Sequence, residues 1–172
     1  MQIRAFEAVD EPGVDALLKA AFPGPGEARL VTALRAADAD TLELVAVDHG
    51  TVVGTVLFSP VTARPDGDDD LFGVGLGPVA VAPEHQSRGI GVALIEAGLN
   101  YLTTLGVPWC VLLGEPDYYR RFGFVAAATW NWSWAGDPDG QFAAAFQVRS
   151  LNGLAPVTGV ATVHYHPAFL GV

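Results

Sequence analysis

Residues 84 to 94 read EHQSRGIGVAL, with two glycines one residue apart, an arginine ahead of them and an apolar helical pattern behind them. The first turn of a helix carries N–H groups without intrahelical partners and about half a positive charge, so an anion held there is stabilised. Glycine removes the Cβ that would keep such an anion away from the backbone. The amides of residues 86 to 92 can therefore surround a phosphate group, with the Arg88 side chain adding charge. The alternative use of the same glycines is only to bend a strand into a helix. Two other phosphate loops fail on spacing. The Gly-Lys-Ser/Thr ending of a nucleoside triphosphate loop is absent, and GVGLGP (73 to 78) does not match the G-x-G-x-x-G dinucleotide fingerprint.

Other groups with chemistry are few. Cys110 is the only cysteine and lies in the apolar run WCVLL, 109 to 113. That run is expected to be a central strand, and a buried thiol keeps its proton and makes a poor nucleophile. The acidic stretch RPDGDDD, 64 to 70, lacks the spaced ligands and distal glutamate of a calcium loop and is expected to be a solvated surface loop. His164 and His166 would share a strand face but have no evident third ligand, so no metal is expected. The alternating tryptophans of WNWSW, Trp130, Trp132 and Trp134, would lie on one face of a strand. They could serve as a substrate wall, a subunit contact or ordinary packing.

Fifty-one per cent of the 172 residues are hydrophobic, enough for one domain spanning 1 to 172 with its own core. Nine basic against nineteen acidic residues give a formal charge of -10. Such a surface repels a nucleic-acid backbone and attracts a cationic amine. The amino-terminal MQIRAFEAVD carries charge where an export signal needs an apolar stretch, and no apolar run reaches the length of about 18 residues that a membrane span needs. A cytoplasmic chain without membrane or nucleic-acid partners is the expectation; a homodimer is left open.

These groups must be positioned by the surrounding elements. Residues 2 to 6 read as a strand, and Val14, Leu17, Leu18, Ala21 and Phe22 form the apolar stripe of a helix. PGPG, 23 to 26, breaks it, and Leu30, Ala33, Leu34 and Ala37 mark a second helix. LELVAV (42 to 47) and TVVGTVLF (51 to 58) read as an antiparallel hairpin whose Gly50 takes a positive φ. A loop is expected over 59 to 71. LFGVGLGPVAVAP follows as a strand distorted by its glycines and Pro78. A helix then runs from Ile90 through Leu94, Ala97, Tyr101 and Leu105, stopped by Gly106 and Pro108. After the strand at 109 to 113, EPDYYRRFG reads as a short helix with Pro116 in its first turn and Gly123 closing it. Strands are expected at 124 to 128, 129 to 134 and 142 to 149, with GDPDG turning between the last two. This succession of strands and helices is that of one mixed α/β unit.

GPVAVAPEHQSRGIGVALIEAGL resembles the cofactor-binding motif of the GNAT-superfamily N-acetyltransferases: a strand ending V-x-V-x-P, then Q-x-x-G-x-G, then an amphipathic helix. YYRRFGF, 118 to 124, resembles the later Tyr-x-x-x-Gly-Phe signature of that family, and with YHPAF near the carboxy terminus the chain is most similar to a bacterial branch of predicted N-acetyltransferases. The resemblance covers most of the chain. It implies an α/β fold, α+β by some schemes, with a mixed, mostly antiparallel central sheet flanked by helices and splayed between its fourth and fifth strands. It also implies acetyl-CoA as cosubstrate and no metal. On the analogy, Gln86, Ser87, Arg88, Gly89, Ile90, Gly91 and Val92 surround the pyrophosphate, and Val79 and Val81 offer main-chain hydrogen bonds to the pantetheine arm. A backbone N–H near Val79 to Val81 would face the oxyanion, and Tyr119, four residues before Gly123, would supply a proton to sulfur. The reaction implied is direct attack, in a ternary complex, by a primary amine of a small molecule or peptide. Glu115, Glu84 and His85 are considered as general base and none is assigned; Arg120 and Arg121 either reach the adenosine end of CoA or are simply exposed. A non-catalytic acyl-CoA sensor of the same fold is the rival, and a nucleotide-binding α/β domain a weaker one. Acceptor specificity is expected to lie in the first two helices, the loop from 59 to 71 and the carboxy-terminal strands.

Overall fold

The apolar stripe of the first helix becomes the buried face of α1 (Glu11–Ala21), where Val14, Leu17 and Leu18 are shielded from solvent. The computed structural model describes residues 1–154 and 159–171. The chain divides into two units built from interleaved segments: Met1–Ser59, Leu76–Tyr101 and Pro167–Val172 in the first, Pro60–Gly75 and Leu102–His166 in the second.

In the first unit, β1 (Gln2–Ala5) pairs antiparallel with β2 (Leu42–Asp48), and β2 with β3 (Thr51–Pro65). The β2–β3 turn places both His49 and Gly50 at positive φ, 48° and 78°. That is the conformation a tight hairpin turn demands of both central residues. The second helix, α2 (Gly26–Ala36), buries Ala28, Leu30, Val31 and Leu34. Its last turn supplies Arg35, which is paired with the buried Glu43 of β2 at 2.5 Å and lies over the Phe6 ring. Burial pushes the Glu43 carboxyl above its ordinary range, and the Arg35 hydrogen bond opposes that shift.

The helix α3 (Ile90–Thr104) lies against β3. A Cβ on Gly54 would come within 3.0 Å of the Ile90 and Leu94 side chains, and one on Gly98 would collide with the Phe58 ring. Phe58 is fully buried and has nowhere to move. Gly98→Ala is therefore expected to destabilise the protein by about 1–3 kcal/mol through overpacking, although alanine is the better helix former. A lowered denaturant midpoint at unchanged m-value is the measurement that checks it.

β3 is longer than the sequence suggests. It continues through residues 59 to 65 instead of yielding to a loop there, so only 66 to 70 connect it to β4 (Leu71–Val81). The extension exists because Val61–Pro65 pair antiparallel with β9 (Ala161–Tyr165). Pro60 falls between the stretch paired to β2, which ends at Phe58, and the stretch paired to β9, which begins at Val61. Its missing N–H thus costs neither ladder a donor.

In the second unit, β5 (Trp109–Leu113) pairs parallel with β4 over two positions only, Val74↔Cys110 and Gly75↔Val111. It pairs antiparallel with β8 (Phe146–Ser150) along its whole length, and β8 carries β6 (Val125–Ala126). β7 (Trp132–Trp134) runs parallel to β9. The pairing is thus mixed and mostly antiparallel, as the resemblance implies. The core gathers Val61, Ala63, Trp109, Val111, Trp132, Phe146, Val148 and Val163.

Three sequence expectations change in this unit. The stretch 124 to 128 keeps only Val125–Ala126 as strand and then forms a 3-10 turn, Ala127–Trp130. Asn131, at φ 58°, breaks the alternation, so Trp130 does not share a strand face with Trp132 and Trp134. Trp132 is buried with its ring 4.9 Å from Trp109 and 5.1 Å from Trp130, while Trp134 packs on Tyr165 at 6.2 Å. These are the edge-to-face contacts of a packed aromatic cluster. The last expected strand begins at Phe146 instead of Phe142, because the Asp137 carboxylate accepts the N–H groups of Gln141 and Phe142 and holds that segment in a turn.

Candidate active site

In the first unit the glycine turn is reached from β4. Ala82 N–H donates to Val53 O of β3 at 2.8 Å, so by strand alternation the main-chain groups of Val79 and Val81 point away from β3. Gly77 has φ 139°, a value that side-chain-bearing residues rarely adopt, which locates the irregularity expected of this strand. Gly73 and Gly75 have a different purpose. A Cβ on Gly73 would strike the Trp109 ring, and one on Gly75 would lie 2.6 Å from the Tyr165 ring.

A short 3-10 turn, Pro83–His85, leads into residues 86 to 89, all but the last side chains of which are polar and all of which are exposed. Ser87 and Gly89 both take positive φ, 61° and 79°. Such reversals turn successive N–H groups toward a common concavity suited to an anion. The first intrahelical bond of α3 is Ala93 N–H to Gly89 O at 3.0 Å, and the amides of residues 87 to 92 donate to no acceptor among the described residues. Ile90 is buried and anchors the helix end, while Gly91 and Val92 are half-buried. The Gln86 side chain faces the strand: its Nε2 donates to Val81 O at 3.1 Å and ties the turn to the end of β4. Gln86 thereby contributes a brace, and Arg88 the exposed cation. His85 is half-buried, with Nε2 3.7 Å from Asp48 Oδ2 and Nδ1 3.7 Å from Glu84 Oε1, distances too long for hydrogen bonds.

In the second unit β5 ends at Leu113, and Gly114 and Glu115 lead into α4 (Pro116–Tyr119) and a 3-10 turn, Arg120–Phe122. Gly123 closes it at φ 82°. The N–H groups of Tyr118 and Tyr119 both donate to Glu115 O at 3.1 Å, but the exposed Glu115 carboxylate caps nothing. The Tyr119 ring sits on Gly114, in space that a Cβ there would occupy, and packs against Phe122 and Phe124 at 6.1 Å. Burial, reinforced by Tyr118 and Cys110, pushes its hydroxyl up to about 12. Tyr118 lies beside it at 4.9 Å and serves differently, carrying the Arg121 guanidinium over its ring at 4.6 Å. Arg120 pairs with Asp117 at 2.5 Å, and both arginines are exposed with these local partners. Cys110 is fully buried, its Sγ directed to Val111 O at 3.7 Å. His166 lies just beyond the end of β9, so it does not continue the strand face of His164. Among the described residues no group of three His, Cys, Asp or Glu could hold a metal ion, and no helix is long and apolar enough to cross a membrane.

Arranged this way, the first unit offers a run of amides, residues 87 to 92, without acceptors among the described residues and with the exposed Arg88 among them, and the second a neutral, half-buried phenol. The chain matches the family model described as Acetyltransferase (GNAT) domain over residues 2–127. The N-acetyltransferase YhbS of Escherichia coli strain K12 is 40% identical over 171 residues, covering 96% of this chain and 98% of the relative. YjhQ of the same strain, also named an N-acetyltransferase, is 36% identical over 110 residues, 63% of this chain and 60% of its own length. Among solved structures, YhbS from E. coli in complex with CoA superposes with a TM-score of 0.83 at 38% identity, covering 98% of this chain and 91% of the other. A GNAT family acetyltransferase from Brucella melitensis in complex with acetyl-CoA gives 0.77 at 38% identity, covering 98% and 97%. With the family model spanning the glycine turn and the Tyr-x-x-x-Gly-Phe segment together, and relatives matched nearly end to end, this chain belongs to the GNAT family of acetyltransferases.

Proposed function

We propose that this protein transfers the acetyl group of acetyl-CoA to a primary amine of a small molecule or peptide, by direct attack in a ternary complex. The observation that carries the reading is the turn at residues 86 to 92: the amides of residues 87 to 92 have no acceptor among the described residues, and with the positive-φ reversals they form an anion seat at the start of a four-turn helix. Support also comes from the relatives solved with CoA and acetyl-CoA. Ser87 to Val92 hold the diphosphate with main-chain N–H groups, Arg88 adds charge and Gln86 braces the turn. The main-chain groups of Val79 and Val81, directed away from β3, bond the pantetheine arm. An N–H of that stretch faces the acetyl oxygen as it gains negative charge, an interaction worth about 3–4 kcal/mol in comparable sites.

The neutral amine forms the new C–N bond with its lone pair, the C–S bond breaks and the sulfur leaves with the electron pair. Tyr119 stands ready as the hydroxyl that hydrogen-bonds the departing sulfur and supplies its proton, while the amine releases one of its own to solvent, from which Tyr119 is reprotonated. Cys110, buried in its strand, takes no covalent part. A formal charge of -10 favours the approach of cationic amines, which must lose a proton before they attack.

Thermal melting tests the cosubstrate. Acetyl-CoA and CoA at 100 times their dissociation constants are expected to stabilise the fold by about 2.7 kcal/mol, with no shift from ATP or NAD. Equal shifts from all four would overturn the assignment. Release of CoA thiol in the presence of polyamines, amino acids, aminoglycosides or peptide amines then separates an enzyme from a sensor that only binds.

A further inference from the structure

Gln147 is a side-chain amide in β8, only 2% exposed, that none of the chemistry above uses. On the ladder it stands opposite Leu112 of β5 and Ala126 of β6. Its Nε2 donates to Gly114 O at 3.0 Å and to Ala145 O at 3.3 Å. The Gly114 N–H also donates to Ala145 O, at 3.0 Å. Pairing between β5 and β8 ends at Leu113↔Phe146, so these bonds hold the one residue past the ladder. That residue is the seat of Tyr119: its missing Cβ leaves the space that the ring fills, and the next residue, Glu115, provides the carbonyl that accepts the Tyr119 N–H.

We propose that Gln147 is a positioning residue for acetyl transfer, clamping the Gly114 peptide so that the Tyr119 ring holds the orientation from which its hydroxyl donates. The proposal rests on the role given to Tyr119 above. Both polar groups of Gly114 are fixed by partners on the β8 side, and only one of them is a side chain. Leucine at 147 has a similar volume but leaves the Gly114 carbonyl short of a donor, so the peptide turns to recover one. A displacement of about 1 Å at a reacting group costs about 10²-fold in rate. Glutamate at 147 keeps the shape. Protonated, it can donate to the same carbonyl; ionised, it repels it, and burial raises the pH at which the change occurs.

Gln147→Leu is expected to lower turnover per folded enzyme by about 10²-fold, with KM for acetyl-CoA nearly unchanged. Gln147→Glu is expected to keep turnover at low pH and lose it as pH rises, a profile absent from the parent enzyme. In a Tyr119→Phe background Gln147→Leu should add almost nothing, since both changes act through one hydroxyl. Full turnover in folded Gln147→Leu, or losses that simply multiply with those of Tyr119→Phe, would overturn the proposal. If the leucine variant does not fold, the glutamate variant decides by its pH profile, and a flat one counts against the clamp. The alkaline titration of Tyr119, read by tyrosine absorbance, reports the seating of the ring independently of catalysis. An active Tyr119→Phe enzyme with a shifted titration in Gln147→Leu would retire the proton donor and leave the clamp standing. An unshifted titration would remove the clamp.

Discussion

Tyr119→Phe is expected to slow thiol release from acetyl-CoA by about 10²-fold while leaving cofactor affinity nearly intact, the pattern of a group that acts in the transition state alone. The ring contacts survive the substitution. Phenylalanine still fills the space over Gly114 and still meets Phe122 and Phe124, so only the hydroxyl is lost. The same burial that favours a neutral hydroxyl also makes it a reluctant acid. With its titration pushed up to about 12, Tyr119 stays protonated where an ordinary tyrosine would begin to ionise near 10. In the role we propose for it, Tyr119 acts best as a hydrogen-bond donor to sulfur as charge develops, with full transfer only as the thiol forms. Steady-state turnover should therefore show no loss attributable to this group between pH 8 and 10. The sign for stability is opposite in its usefulness. Because the folded state resists ionisation, the contribution of Tyr119 is complete below about pH 10 and is lost as pH rises toward about 12, when the unfolded chain releases this proton first. Tyr165, also pushed upward by burial, adds a slope of the same sign that Tyr119→Phe leaves in place. Unchanged turnover in Tyr119→Phe would remove it from the mechanism.

Gly89→Pro is expected to weaken CoA binding by at least about 10²-fold, equivalent to about 2.7 kcal/mol. Gly89 holds φ 79°, whereas proline is fixed near -65°, so the substitution re-routes the turn as well as deleting one donor. Hydrogen bonds to a charged acceptor are worth about 1.5–3 kcal/mol each, and displacing two is enough for the loss. Arg88→Ala makes a useful contrast. Its side chain is exposed, and an exposed ion pair contributes about 1 kcal/mol or less and fades with salt. Isothermal titration at two ionic strengths should find a large, salt-independent penalty for the glycine variant and a small, salt-dependent one for the arginine variant. The reverse order would shift the grip on the anion from backbone to side chain.

The parts of the fold that were legible in the sequence were those set by neighbours in the chain. The stripes of α1, α2 and α3 follow helical period, Gly50 announces its turn, and the apolar run at 109 to 113 is the strand it resembles. What escaped depends on partners far along the chain. Pro60 reads as a strand end because nothing nearby shows that β9 will pair with the residues after it. Gly73 and Gly75 read as a bulge, yet their bareness answers the rings of Trp109 and Tyr165. WNWSW alternates like a strand, but the positive φ of Asn131 and the packing of Trp132 between two other tryptophans decide otherwise. In the candidate site, the turn was visible from glycine spacing and the tyrosine from the Tyr-x-x-x-Gly-Phe motif. The clamp was invisible: one glutamine in a strand gives no sign that its amide ends on a carbonyl in another strand's final turn.

The chemistry we propose depends on main-chain amides gripping a diphosphate. Titrating the isotopically labelled protein with CoA, and separately with pantetheine, while following backbone amide resonances tests that grip directly. CoA should move the amides of Ser87 through Val92 more than any other group, and pantetheine, which has no diphosphate, should leave them in place. Saturable CoA binding that leaves those six resonances where they were would contradict the account.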